Sequence, residues 1–98
     1  MVLQNEMDKL TQWLTTVVGG LVSKPDLVKV TATEDEQGVL FVVNVAREDT
    51  GKVIGKKGSI AEAIRVLLRS AGYIEDIRAS MKVDAPDSKF ELRNEDRV

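Results

Sequence analysis

The apolar residues change their spacing along the chain, and this change limits the possible folds more than any other feature of the sequence. From Leu3 to Leu21 they recur every three or four positions, which is the period of an amphipathic helix. Residues 28–33 and 77–83 instead alternate between apolar and polar side chains, as half-buried strands do. Residues 39–45 are apolar on both faces for most of their length, which predicts a more central strand.

The sequence also predicts a turn and a second helical region. Residues 35–38, Asp-Glu-Gln-Gly, form a short connection, which predicts a hairpin with antiparallel strands. We expect Asp49 or Thr50 to cap a short helical turn that ends at Ile54. A longer helix is then predicted to begin at Ser59, through a capping box with a glutamate three residues later. The predicted buried stripe of that helix is Ile60, Ile64, Leu67, Leu68 and Ala71, with Gly72 as its C-terminal stop.

The predicted order is therefore helix, strand, strand, short helix, helix, strand. Runs of like elements, rather than a strict alternation, indicate an α+β fold with helices packed on one face of a three-stranded sheet. At 98 residues the chain fits one domain, which we place at residues 1–85. Residues 86–98 are polar apart from Phe90 and Leu92 and are predicted to form a loose tail. Tyr73 is interpreted as a packing residue.

Two residue types that are central to catalysis are missing, since the sequence contains no Cys and no His. Thiol nucleophiles, Ser-His-Asp triads and zinc held by His or Cys are therefore excluded. We predict no enzymatic activity, no cofactor and no metal site. The chain also lacks an apolar run of about 18 residues, which a membrane span needs, and its N-terminus lacks the features of a signal peptide. The expectation is a cytoplasmic protein without a membrane partner.

The charges are unevenly distributed along the chain, although the formal net charge is only −2. Residues 47–69 carry six basic and three acidic side chains, whereas residues 1–46 carry three basic and six acidic ones. One short basic window thus lies on an otherwise acidic protein. For binding a polyanion, this distribution matters more than the total charge.

At the centre of the basic window, residues 55–58 read Gly-Lys-Lys-Gly. The glycines permit a sharp reversal of the chain and the close approach of another backbone. The helix that restarts at Ser59 leaves free N–H groups near the loop, and such groups favour an anion. With two lysines at its apex and Ile54 beside it as part of an apolar floor, the loop suits a passing sugar-phosphate backbone.

The segment around this loop resembles a known module. Residues 53–60 read VIGKKGSI, which resembles the VIGxxGxxI core of a KH domain, and the α-β-β-α-α-β order resembles the type II form of that domain. Residues 3–84 are similar to the small bacterial proteins of the KhpA (YlqC-like) family. The resemblance implies that the loop, called GXXG, clamps about four nucleotides of single-stranded RNA. The predicted RNA-binding residues are Lys52, Ile54, Gly55, Lys56, Lys57, Gly58, Ser59, Ile64 and Arg65.

Within this prediction the residues have distinct roles. The two lysines of the loop hold phosphates together with the N–H groups of the two glycines. Ile54 and Ile64 contact bases, and Arg65 borders the groove and touches phosphate. A KH groove binds few nucleotides, so one domain should bind weakly, and association with a partner would raise the effective concentration.

The family resemblance also implies partners and a cellular role. It implies self-association into a homodimer and pairing with a larger KH-containing protein of the KhpB type, also called Jag or EloR. It further implies an RNA chaperone or post-transcriptional regulator, which in some bacteria affects cell elongation and cell-wall homeostasis.

Other interpretations of the basic window stay open. The loop can be a solvated surface turn, and Arg65 can lie on a solvated helix face, paired with Glu62. A P-loop does not fit, because the second glycine of that motif, counted from Gly51, falls on Lys56. The second functional hypothesis is a protein-interaction adaptor with little RNA binding. The acidic net charge and the aromatic content of 4% favour it, whereas the two loop lysines oppose it.

Overall fold

The computed structural model describes residues 4–84, which contain three α-helices and three strands. The elements are α1 (Gln4–Gly19), β1 (Lys29–Asp35), β2 (Gly38–Asn44), α2 (Thr50–Ile54), α3 (Ser59–Ile74) and β3 (Ala79–Val83). Short 3-10 turns lie at Pro25–Leu27, Arg47–Asp49 and Lys56–Gly58. This order confirms the predicted α+β arrangement. The predicted tail, with Phe90 and Leu92, lies outside the described residues. Between residues 4 and 84, no helix is long and apolar enough to cross a membrane.

The three strands form one mixed sheet in the order β1-β2-β3. β1 and β2 are antiparallel, and their register runs from Lys29 opposite Asn44 to Asp35 opposite Gly38. β2 and β3 are parallel. A parallel pair needs a long crossover, which α2 and α3 supply. The predictions of an antiparallel hairpin and of a central second strand are both confirmed.

The helices cover one face of the sheet, and the core lies between them. Every second residue of β2 and β3 is buried, while the residues between them are partly or fully exposed. Apolar side chains from α1, α2 and α3 meet those from β2 and β3 in this core. The core residues of α1, β2 and α3 include Leu10, Leu14, Val18, Val39, Phe41, Val43, Ile64 and Leu68.

The predicted capping box at the start of α3 is wrong. Gly58 is the N-cap residue, with a left-handed φ of 76°, and Ser59 already has helical angles, φ −66° and ψ −36°. No side chain caps this helix. The left-handed turn at Gly58 brings the chain into the helix one residue too early for a serine cap. The glutamate of the proposed box, Glu62, contacts Arg65 and Arg69 instead.

Four of the five residues predicted for the buried stripe of α3 pack on the core. Ile64 and Leu68 are buried and Ile60 and Ala71 are partly buried, whereas Leu67 is 54% exposed. Gly72 is not the stop of the helix, which continues to Ile74. A Cβ at Gly72 would lie 2.7 Å from the carbonyl oxygen of Ile77, so this glycine lets the helix pack closely against the approach to β3.

The interpretation of Tyr73 as a packing residue is wrong as well, because its side chain is 86% exposed. Neither Asp49 nor Thr50 caps α2 through its side chain. Asp49 is fully buried and bonds to residues far away in the sequence, as described below.

Candidate nucleic-acid interface

The loop at residues 55–58 has a backbone that requires both of its glycines. Gly55 and Gly58 each have a φ of 76°, in the region that L-residues rarely adopt. Space imposes the same requirement at Gly55, where a Cβ would lie 2.5 Å from Cγ1 of Ile60. Between them, Lys57 also has a positive φ, 55°. A non-glycine residue in this region costs on the order of 1–2 kcal/mol, so the loop holds Lys57 in a strained conformation.

The two lysine side chains of the loop are exposed at its apex. Within residues 4–84, neither Lys56 nor Lys57 forms an ion pair. The loop also leads directly into the N-terminus of α3, where the helix dipole favours negative charge. Two unpaired cations and a helix N-terminus therefore face the same region of solvent.

The N–H groups of the two glycines are already used within the protein. Gly55 donates to the carbonyl of Gly51 at 2.8 Å, and Gly58 donates to the carbonyl of Gly55 at 3.1 Å. In this conformation the glycines therefore set the shape of the loop rather than offer hydrogen bonds to a ligand. Charge at the loop comes from the lysine side chains.

Arg65 links α3 to the open edge of the sheet. Arg78 and Asp84 use their backbone groups to bond with β2. Because the backbone groups of alternate residues point to the same side of a strand, those of Met81 face away from β2, towards the open edge of β3. Arg65 Nε donates to the Met81 carbonyl at 3.1 Å, and its Nη1 lies 3.4 Å from Oε1 of Glu62. Arg65 thus bridges α3 and the open edge of β3.

The other predicted site residues lie in different environments. Ile54 and Ile64 are only 5% and 3% exposed, so both belong to the core beneath the loop. Ser59 is exposed as the first residue of α3. Lys52 is about half exposed, and its Nζ lies 3.2 Å from Oδ1 of Asp49.

Asp49 does not cap α2 as predicted but holds two distant segments together. Its buried carboxylate accepts hydrogen bonds from the Ser23 N–H at 3.0 Å, the Ser23 hydroxyl at 2.7 Å and the Lys24 N–H at 3.1 Å. We call this set of bonds the Asp49 clamp. It joins the connection between α1 and β1 to the start of α2. No local signal marks it, because Ser23 lies 26 positions away in the sequence.

The clamp holds Asp49 in its ionised form. Burial of the carboxylate disfavours the charge, but the bonds from Ser23 and Lys24, together with the Lys52 ammonium, outweigh burial. They lower the pKa of Asp49 from 3.8 to about 2. An ionised carboxylate therefore holds the start of α2 in place. The loop with its two unpaired lysines begins directly after this helix.

Comparison with known proteins matches most of the chain to one protein family. Residues 11–84 match the family model described as "KhpA/KhpB, KH domain". The RNA-binding protein KhpA of Clostridium acetobutylicum is 40% identical over 74 residues, which cover 76% of this chain and 99% of that protein. The RNA-binding protein KhpA of Caldanaerobacter subterraneus is 41% identical over 68 residues, 69% of this chain and 91% of that protein. The RNA-binding protein KhpA of Listeria monocytogenes is 32% identical over 74 residues, 76% of this chain and 97% of that protein.

Proposed function

The chain belongs to the KhpA/KhpB KH-domain family, and from this premise we propose that it binds single-stranded RNA in the groove between the 55–58 loop and the open edge of β3. The observation that carries the proposal is the loop itself. Two glycines in left-handed conformations hold two exposed, unpaired lysines at the N-terminus of α3. A KH domain uses such a loop to clamp about four nucleotides of RNA backbone.

The phosphates of the RNA are expected to contact the side chains of Lys56 and Lys57. Ser59 offers its hydroxyl as a further hydrogen-bond donor beside the helix N-terminus. Lys52 can exchange its ion pair with Asp49 for a phosphate, since Asp49 keeps its bonds to Ser23 and Lys24 after the exchange. Because the glycine N–H groups are occupied, the lysines supply most of the attraction.

The bases are expected to lie between Arg65 and the floor of the groove. Ile54 and Ile64 set the depth of that floor, and with 5% and 3% of their surface exposed they present edges rather than broad faces. Arg65 is already fixed to the Met81 carbonyl, so its guanidinium is pre-organised at the wall of the groove. A rigid wall reduces the entropy that binding must spend on ordering side chains.

Crosslinking tests where the RNA lies. The protein is irradiated with ultraviolet light in complex with a uridine-rich single strand, and the crosslinked peptides are identified by mass spectrometry. We expect crosslinks within residues 52–65. Crosslinks confined to the outer face of the sheet, around Lys29 and Lys82, would mean that the loop is only a surface turn.

A second candidate function, as a protein-interaction adaptor, is favoured by one side of α3. Leu67 and Ile74 are 54% and 79% exposed, and Ala63 and Ser70 complete a stripe with spacings of four, three and four. This spacing is that of a helix-pairing seam. We propose that a second KH domain packs there, which makes a homodimer or a complex with a KhpB-type protein. A Leu67→Glu variant should lower the molecular mass in analytical ultracentrifugation. An unchanged mass distribution would reject this interface.

These proposals extend to the role of the protein in the cell. Weak binding by single domains becomes useful when two of them share one RNA, because the second contact is then intramolecular. We propose a cytoplasmic RNA chaperone or post-transcriptional regulator, which in some bacteria supports cell elongation and cell-wall homeostasis. Fragments of cellular RNA recovered by crosslinking and sequencing would identify its targets. Recovery no greater than that of a loop-charge variant would reject this role.

A further inference from the structure

A cleft lies at the end of α3 that is remote from the loop. It has a volume of about 540 Å³ and is lined by Arg69, Tyr73, Asp76, Ile77, Arg78 and Ala79. Tyr73 is 86% exposed, which is unusual for a large aromatic side chain in a small domain. The cleft combines an exposed ring with two guanidinium groups, and the RNA groove proposed above does not include them.

The position of the cleft continues the line of the groove. Arg65, Arg69 and Tyr73 follow each other at four-residue spacing, so they form one row along α3. Arg65 contacts Met81 in the middle of β3, and Arg69 and Tyr73 line the cleft beside Ala79, the first residue of the same strand. With a rise of about 1.5 Å per residue, Tyr73 lies roughly 20 Å along the helix from Ser59. An RNA chain that leaves the loop along the edge of β3 therefore passes Arg65 and then reaches Tyr73.

The charges of the cleft favour a polyanion. Arg69 is only loosely paired, with its Nη2 3.9 Å from Oε2 of Glu62, and its side chain is 58% exposed. Arg78 is exposed, and Asp76 is the acidic residue that lines the cleft. The neighbouring Glu75 is already bonded to Lys9 at 2.6 Å. Among the residues that line this cleft, two guanidinium groups stand against one carboxylate. The acidic residues 34–36 line a neighbouring cleft that shares Arg78, so Arg69 is the better placed of the two cations for a phosphate.

We propose that this cleft is an additional nucleotide subsite, in which a base beyond the four at the loop stacks on Tyr73 while Arg69 or Arg78 contacts its phosphate. The subsite rests on the proposed RNA-binding function and extends it. Stacking on an aromatic ring is tolerant of sequence and contributes about 1–3 kcal/mol per base, which corresponds to an affinity gain of about 5- to 150-fold. The protein thus prefers RNA longer than the four nucleotides that its loop clamps.

The test compares two lengths of RNA and four proteins. Affinities for uridine oligomers of about four and about eight nucleotides are measured by fluorescence anisotropy at one salt concentration. The proteins are the wild type, Tyr73→Ala, Tyr73→Phe and the control Leu27→Ala. Leu27 is the control because it is apolar and 55% exposed, and it belongs neither to the cleft nor to the loop or the seam on α3.

An eight-nucleotide uridine strand offers about five registers to a four-nucleotide site, which alone raises its apparent affinity about 5-fold. We expect wild type to prefer the longer RNA by a further factor of at least about 5. Tyr73→Ala should lose this further factor and keep the affinity for the shorter RNA, whereas Tyr73→Phe and Leu27→Ala should keep both. If wild type shows only the statistical gain, or Tyr73→Ala retains the further factor, the subsite is rejected and the loop remains the RNA site. If wild type binds neither RNA, the proposed function itself fails. If Tyr73→Ala alters the sedimentation coefficient and binding of both lengths alike, Tyr73 belongs to a protein interface and the subsite is rejected.

Discussion

At the N-terminal end of α2 a carboxylate is buried and fully bonded, whereas just beyond its C-terminal end two ammonium groups stand exposed in a strained loop. Both regions flank one helix of five residues. The Asp49 clamp directs its charge inwards, to Ser23, Lys24 and Lys52. The loop directs Lys56 and Lys57 outwards, without partners among the residues described. The two regions thus use charge differently. The Asp49 carboxylate holds the fold together, whereas the two loop ammonium groups are available to a ligand.

The largest expected effect follows from removing the clamp. Asp49→Ala leaves the N–H groups of Ser23 and Lys24 without their acceptor in a partly buried site and opens a cavity where the fully buried Asp49 side chain lay, and both changes are costly. We expect the melting midpoint to fall by roughly 10–20 °C, measured by circular dichroism. The folded fraction should still bind RNA through an intact loop.

A matched control for this variant is Asp26→Asn, which changes an exposed aspartate on the same connection. Its melting midpoint should stay within about 3 °C of wild type. If Asp49→Ala and Asp26→Asn melt alike, the clamp does not stabilise the fold, and the contrast between the two ends of α2 disappears.

Acid should weaken the clamp without any mutation. The folded pKa of Asp49 is about 2, below the ordinary value of 3.8, so ionised Asp49 contributes stability that is complete above about pH 4. This contribution is lost as the pH falls from about 4 towards 2. Urea denaturation across this range should show wild type losing stability relative to Asp49→Ala. A constant stability difference between the two proteins down to pH 2 would contradict the account.

At the other end of α2, the loop depends on the shape of its first glycine. Gly55→Ala would place a Cβ 2.5 Å from Ile60 at a φ of 76°, so either the loop or α3 must shift. We expect a loss of about 1–3 kcal/mol in the free energy of unfolding, measured with urea, and weaker RNA binding. Gly20→Ala is the control, because its nearest contacts, at 3.5 Å, are ordinary. Equal stability of the two variants would show that the loop is not strained at Gly55.

The smallest effect is expected just after the loop. Ser59→Ala removes a hydroxyl that caps nothing, so the free energy of unfolding should change by no more than about 0.5 kcal/mol. Ser70→Ala, at an exposed position within α3, provides the reference. A loss of about 1 kcal/mol or more at Ser59 alone would restore the capping box that the sequence suggested.

These regions also differ in how far sequence could predict them. The order of helices and strands could be predicted from the spacing of the apolar residues. The loop could be predicted as well, because its four residues are consecutive in the sequence. Most of the face that α3 buries also followed from periodicity. The burial of Gly72 did not, since it depends on a close contact with Ile77, which periodicity does not encode. The Asp49 clamp and the contact of Arg65 with Met81 were missed for a similar reason. Each joins residues from separate elements, and only the folded chain brings them together.

The most direct test of the central claim exchanges charge at two places. Lys56→Asp with Lys57→Asp reverses both loop charges, and Lys29→Asp with Lys82→Asp makes the same change in net charge on exposed residues of the sheet. RNA affinity is measured for both variants and wild type across a series of salt concentrations. The loop variant should remain folded, bind RNA weakly or not at all, and flatten the slope of log affinity against log salt by about 1.4, since each phosphate contact on a single strand contributes about 0.7. The sheet variant should keep nearly the wild-type slope, and equal slopes in all three proteins would contradict RNA binding at the loop.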